Sequence, residues 1–146
     1  MARHEQSIVI ARPVAQVYSY MDDIERERDW QPQLVEAEQS PPGPSVVGTR
    51  RRYVSEFLGK RLENTYVVTL CEPGRRVVAQ TTEDSVLDAR SDVRWEAVEG
   101  GTRVTMALEG SPSGALRYVP ARLLERAFAK EVDGALALLK ERLEGG

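Results

Sequence analysis

The sequence predicts an α+β fold, with a curved antiparallel sheet whose apolar face is covered by one long C-terminal helix. Three observations carry this. Short β-branched or alternating segments separated by turn residues run from Leu34 to Gly110 with no helical window between them. Helical spacing occurs only before and after that run. The last helical segment, Pro120 to Leu143, is long and amphipathic. The expected arrangement is one domain over residues 1–146, ordered strand, two short helices, six strands, long helix.

The elements follow in order. Gln6 to Ala11 is short and β-branched and reads as a strand. Arg12-Pro13 ends it, and proline suits the first turn of a helix because its missing N–H would be unpaired there anyway. Val14, Val17, Tyr18 and Met21 continue at helical spacing up to Asp22-Asp23. A short polar helix, Ile24 to Arg28, leads to Trp30-Gln31-Pro32. Leu34 to Gln39 is a strand, stopped by Ser40-Pro41-Pro42-Gly43-Pro44. The remaining strands are Val46 to Leu58, Arg61 to Cys71, Arg75 to Thr82, Val86 to Val98 and Thr102 to Gly110. Their separators are Gly59-Lys60, Glu72-Pro73-Gly74, Glu83-Asp84 and Gly100-Gly101, the spacing of a meander.

Alternation assigns faces, because successive side chains of a strand point to opposite sides. Val104, Met106 and Leu108 face inward on the last strand. Leu87, Ala89, Ser91, Val93 and Trp95 do so on the strand before it, leaving a charged run from Asp88 to Glu96 for solvent. Leu62, Asn64, Tyr66, Val68 and Leu70 form a third inward row. Arg50, Arg51 and Arg52 are consecutive, so their strand is ambiguous; an inward Tyr53, Ser55 and Phe57 would carry Arg51 inward as well, and a one-residue bulge would reverse the assignment. On the C-terminal helix the apolar stripe is Leu124, Phe128, Val132, Ala135, Leu136, Leu139 and Leu143, with Glu131 among the charges placed off it.

Composition excludes several classes. Hydrophobic residues make 41% and charged residues 29% of the chain, which is globular composition. A net charge of -3 gives no basic footprint for nucleic acid. No apolar run reaches the length of a membrane span, and no signal peptide is expected. The lone Cys71 fits a reducing, cytoplasmic setting and reads as a small buried hydrophobe. The only histidine, His4, reads as an exposed residue at a frayed start. One His and one Cys do not make a zinc site, and no glycine pattern suits a nucleotide phosphate, so neither metal nor cofactor is expected. Asp22-Asp23 and Glu25 read as solvated helix ends.

The order and punctuation resemble the START/Bet v 1-like (SRPBCC) superfamily, the helix-grip fold, and within it the polyketide cyclase/dehydrase-like proteins. The residues that carry the likeness are Ile8 to Pro13 followed by Val17-Tyr18, Trp30-Gln31-Pro32, Val47 to Arg50, Gly59 to Glu63, Val68 to Pro73, Gly101 to Thr105, and Leu139 to Glu144. The resemblance implies a sheet wrapped around the long helix, with a largely apolar cavity between them. The ligand-lining candidates are then Trp30, Tyr53, Phe57, Tyr66, Val68, Ala89, Ser91, Val93, Met106, Leu108, Leu124, Phe128 and Val132. The Ser111 to Val119 loop is the candidate gate. For catalysis the candidates are Arg51, Tyr53, Glu63 and Tyr66, with Asn64 and Ser91 as further polar groups; Arg51 would neutralise an enolate or a carboxylate head group. Three readings stand. The chain binds a small hydrophobic ligand (lipid, polyketide or isoprenoid-like), or it is a polyketide cyclase/dehydratase working without metal or nucleotide, or it is a protein-interaction or quinone-biosynthesis helper. The expected state is a monomer or homodimer.

Overall fold

Seven strands form one antiparallel sheet in the order β1-β7-β6-β5-β4-β3-β2. In the computed structural model, which describes residues 1–57 and 59–145 without the side chains of Phe57 and Ala115, the strands are β1 (Ala2–Ile10), β2 (Leu34–Ser40), β3 (Arg50–Phe57), β4 (Lys60–Glu72), β5 (Arg76–Thr81), β6 (Leu87–Val98) and β7 (Gly101–Pro112). The helices are α1 (Val14–Asp22), α2 (Glu27–Trp30) and α3 (Ala121–Gly145), with single tight turns of helix at Ile24–Arg26 and Gly114–Leu116. The predicted element order and fold class are those observed. The Phe57 side chain, read as cavity-lining, and Leu58, read as a strand end, lie outside the described residues.

β2 to β7 form an uninterrupted meander, each strand pairing with the next. β1 then pairs along β7, from Ala2 opposite Gly110 to Ile10 opposite Thr102. The chain therefore has to cross from one edge of the sheet to the other between β1 and β2, and α1 and α2 make that crossing. Gly101 permits the start of it. Its φ is +142°, and a Cβ there would lie 2.0 Å from the Ile10 carbonyl oxygen, so no other residue fits where the chain leaves β1.

β1 starts four residues earlier than its β-branched core suggests. Its polar first half is held by pairing with β7 rather than by burial, a contact that local sequence does not signal. His4 is consequently not at a frayed start. It pairs with Leu108, and its Nε2 lies 2.8 Å from Asp133 Oδ1 on α3.

Every apolar residue of the predicted α3 stripe is buried. Leu124, Phe128 and Leu139 are fully enclosed with Ile10, Val17 and Val104, each contributing about 1.5–3 kcal/mol relative to exposure. α3 lies mainly over β1 and β7 and against α2. The core is thus packed solid at the β1–β7 side, while the concave face of β3 to β6 stays farther from the helix.

Bulges set which side chains enter that space. In β4 the register shifts between Val68 and Leu70, so Val68 pairs with Ala79 but Cys71, not Leu70, pairs with Val77. The expected inward row is broken there: Leu70 moves to the outer face and Cys71 takes the inner one. Cys71 Sγ then lies 3.2 Å from the Ser45 carbonyl oxygen and 3.8 Å from the Tyr18 hydroxyl.

Candidate functional site

Between the concave face and α3 lies a cavity of about 160 Å³. β3 and β4 contribute Arg51, Tyr53, Ser55, Asn64, Tyr66 and Val68 to its wall. β5 adds Val77 and Ala79, β6 adds Leu87, Ser91, Val93 and Trp95, and β7 adds Met106 and Leu108. The other side is made by Met21, Asp22, Glu27, Trp30, Gln31 and Leu34, and by Glu131, Val132 and Ala135 of α3. Of the two alternatives left open for the triple-arginine strand, the structure has Tyr53, Ser55 and Arg51 inward, because β3 pairs with β4 without a bulge from Arg50 to Phe57; Val77 and Ala79 come from a strand that received no face assignment.

Three of the expected lining residues do not line it. Ala89 is buried against Gly110, whose missing Cβ leaves room for the Ala89 methyl. Leu124 and Phe128 are consumed by the solid part of the core, fully enclosed one and two turns before Glu131 and Val132 reach the cavity. Glu63 leaves the catalytic candidates altogether. It stands on the outer face of β4 and accepts a 2.8 Å hydrogen bond from Arg52. No described residue between Ser111 and Val119 lines the cavity, and Leu116 is anchored in the core.

Local pattern assigned Asp22 to a solvated helix end and Glu131 to the charged side of α3, and it did not single out Glu27 within the short polar helix; all three line the cavity. Asp22, at the end of α1, accepts a 2.9 Å bond from Arg51 Nη2 on one carboxylate oxygen and a 3.0 Å bond from the Ser45 amide on the other. Arg51 Nη2 also reaches the Asp22 carbonyl and Ser45 Oγ, and Nη1 stands 3.7 Å from Glu27 Oε1. Although burial opposes its charge, Tyr53, Glu27 and Asp22 hold the Arg51 guanidinium firmly protonated. The guanidinium is therefore already neutralised by protein, contrary to the expectation that it waits for a carboxylate ligand.

Glu27 is the most enclosed charge-bearing side chain in the wall, 3% exposed. Gln31 Nε2 donates a 2.5 Å bond to its Oε2, while Oε1 has no hydrogen-bond partner among the described residues. Burial pushes the carboxyl up to about 7, with Arg51 and the Gln31 bond pulling it back. Gln33 extends the polar line, donating to Gln31 Oε1 at 3.2 Å and to Glu131 Oε1 at 3.1 Å. Burial raises Glu131 to about 6 against that bond. A continuous set of side chains, Arg51-Glu27-Gln31-Gln33-Glu131, thus links three charged groups of a mostly apolar and aromatic wall, with Gln33 outside that wall in the link.

The aromatic groups are Trp30, Tyr53, Tyr66 and Trp95. The Tyr53 and Tyr66 rings meet edge-on with centroids 5.9 Å apart, and burial keeps both phenols protonated. Trp95 Nε1 points at Met21 Sδ, 3.2 Å away, and its ring meets Tyr18 edge-on at 4.8 Å. Trp30 Nε1 is buried without a partner among the described residues. Glu131 and Ala135 also line an outer groove of about 660 Å³ between α3 and the Pro32-Gln33 segment, so the Gln33–Glu131 bond stands between groove and cavity. Among the described residues, no three His, Cys, Asp or Glu side chains are grouped as a metal ion needs, and no helix is long and apolar enough to cross a membrane.

No curated protein sequence matches the chain. Among solved structures, a START superfamily protein from Mycobacterium smegmatis superposes with a TM-score of 0.81 at 13% identity, covering 99% of both chains. The Zhui aromatase/cyclase from Streptomyces sp. R1128 gives 0.81 at 15% identity, covering 97% of this chain and 93% of that one. A polyketide-cyclase-like protein from Corynebacterium glutamicum gives 0.65 at 24% identity over 97% and 91%. These likenesses show the fold, the START-like helix-grip arrangement. A family model described as polyketide cyclase / dehydrase and lipid transport matches residues 1–144, a span that takes in the sheet, α1, α2, all but the last residue of α3 and every residue of the cavity wall. The chain belongs to that family.

Proposed function

We propose that this protein binds a small hydrophobic ligand in the cavity between the sheet and α3. The observation that carries the reading is the asymmetry of the wall. Most of it is aliphatic and aromatic, while its charged groups, Asp22, Glu27, Arg51 and Glu131, are linked to one another through ion pairs and the Gln31–Gln33 bonds, so a ligand would bury an apolar body and orient one polar end. The volume of about 160 Å³ suits a body of one or two rings. Burial of such a body contributes on the order of 25 cal/mol per Å² of apolar surface. Access runs through the outer groove, past Gln33 and Glu131. The single Cys71, unpaired among the described residues, supports a reducing, cytoplasmic setting. Apart from the adjacent Val46 and Val47, the exposed large apolar side chains among the described residues, Met1, Val9, Tyr118 and Leu123, are not neighbours in sequence, which supports ligand binding over docking of another protein.

A second reading, cyclisation and dehydration of a poly-β-keto chain, is favoured by Glu27. A carboxyl titrating near 7 is matched to proton transfer at neutral pH, and Tyr53 and Arg51 stand beside it as hydrogen-bond and charge partners for an enolate. The modest volume weighs toward the first reading.

The test is calorimetric titration of the wild type and Leu108→Trp with phenethyl alcohol, together with native mass spectrometry of the protein purified from its own host. The first reading expects saturable binding by the wild type and none by the filled variant at retained stability. Equal binding by both would place the ligand elsewhere.

A further inference from the structure

We infer that the ligand this cavity selects is a hydrophobic amine carrying a protonated nitrogen, not a carboxylic acid. The inference rests on the binding reading above and names the chemistry of the ligand's polar end. Three carboxyl groups, Asp22, Glu27 and Glu131, face the cavity against one guanidinium, Arg51. Arg51 is taken up by Asp22 at 2.9 Å, by Ser45 and by the Asp22 carbonyl. What remains carries a net negative charge, with Trp30 Nε1 and Arg51 Nε as the unpaired donors beside it among the described residues. Glu27 Oε1 is buried without a hydrogen-bond partner among the described residues, 3.7 Å from Arg51 Nη1, an acceptor that a ligand donor would satisfy.

The rest of the wall points the same way. Trp30, Tyr53, Tyr66 and Trp95 surround the same space, and aromatic faces attract a cation once it is out of water. A carboxylate ligand would meet Glu27 and Glu131 with no free cation to receive it. A protonated amine would donate to Glu27, complete its hydrogen bonding and favour the ionised form of both glutamates, opposing the burial that raises them. The charged groups acting on the amine are then Asp22 from α1, Glu27 from α2, Arg51 from β3 and Glu131 from α3, with Tyr53 and Tyr66 as neutral donors.

The experiment compares three probes of nearly equal shape, phenethylamine, phenethyl alcohol and phenylacetate, by calorimetry at pH 8. Quenching of Trp30 and Trp95, the chain's two tryptophans, both in the cavity wall, provides a second readout. The expected order is amine, then alcohol, then acid, with the amine tighter than the acid by about tenfold or more. Glu27→Gln and Glu131→Gln should each erode the preference of amine over alcohol, read as the ratio of the two affinities in each variant. Phenylacetate binding as tightly as phenethylamine would overturn the inference, as would an amine preference unchanged in both variants. In either case, binding of the alcohol would leave the cavity reading standing. If none of the three binds, the binding reading falls and this inference falls with it.

Discussion

Replacing Glu27 by Gln tests the central energetic feature of the site. Glu27 is 3% exposed, and burial carries its carboxyl from an ordinary 4.5 up to about 7. Between those two pH values the folded protein holds a proton that the unfolded chain has released. Stability therefore falls as pH rises through this window, by about 1.4 kcal/mol per pH step for one group. The full penalty, present above pH 7, is about 3 kcal/mol. Gln mimics the protonated carboxyl in shape and in its bond with Gln31, and never ionises. Glu27→Gln should match the wild type near pH 4 and exceed it by about 3 kcal/mol at pH 8, raising Tm there by about 6–12 °C for a chain of this size. Urea unfolding of both proteins at the two pH values measures the difference, and effects of other titrating groups cancel in the comparison. A difference that does not change with pH, or a wild type more stable than the variant at pH 8, would refute the account of Glu27 as a carboxyl held at a cost in a closed site. A gain in stability with loss of amine preference would mark a residue kept for the ligand rather than for the fold.

The remaining predictions concern space and access. Val93→Trp, like Leu108→Trp, should abolish probe binding while circular dichroism shows the native sheet; retained affinity would mean that this cavity does not hold the ligand. Gly110→Ala would place a Cβ 2.5 Å from the Asp88 carbonyl oxygen and 2.8 Å from Ala89 Cα, both backbone atoms, so it should cost about 1–3 kcal/mol in urea unfolding. A loss within error of zero would show that β6 and β7 can separate freely there. Gln33→Ala removes the bond to Glu131 between groove and cavity, and stopped-flow mixing should show faster association and dissociation with little change in Kd. Unchanged rates would move the access route away from the groove, to the segment from Ser111 to Val119.

Strand order, faces and the closing helix were legible because they rest on local pattern. Alternation over Leu87 to Trp95 and the stripe from Leu124 to Leu143 are properties of neighbours in sequence. Failures came where a non-local contact decides. β1 extends to Ala2 because β7 is long enough to pair with it. The bulge past Val68 exchanges Leu70 for Cys71, and neither residue type announces it. Leu124 and Phe128 have the right face of α3, but distance from the sheet varies along a helix, and only the fold tells which turns press on the core and which stand over a space.

The acidic groups of the cavity were hidden for a different reason. Asp22 precedes Asp23, and Glu27 and Glu131 each stand beside a charged neighbour, so sequence pattern sets none of the three apart from solvated surface. Their burial follows from the crossing of the chain between the two sheet edges, which lays the ends of α1 and α2 over Arg51, 29 residues beyond Asp22. One signal was present in the sequence. An inward Arg51 among Tyr53 and Ser55 requires a carboxylate across from it, since a lone buried guanidinium is untenable. The strands opposite offered none on their inner faces, so the partner had to come from the helices. Asp22 alone answers that need at 2.9 Å. Glu27 and Glu131 exceed it, and replacing such buried charges with apolar groups is commonly neutral or stabilising. Their presence in the wall is therefore better explained by what enters the cavity than by what holds the sheet.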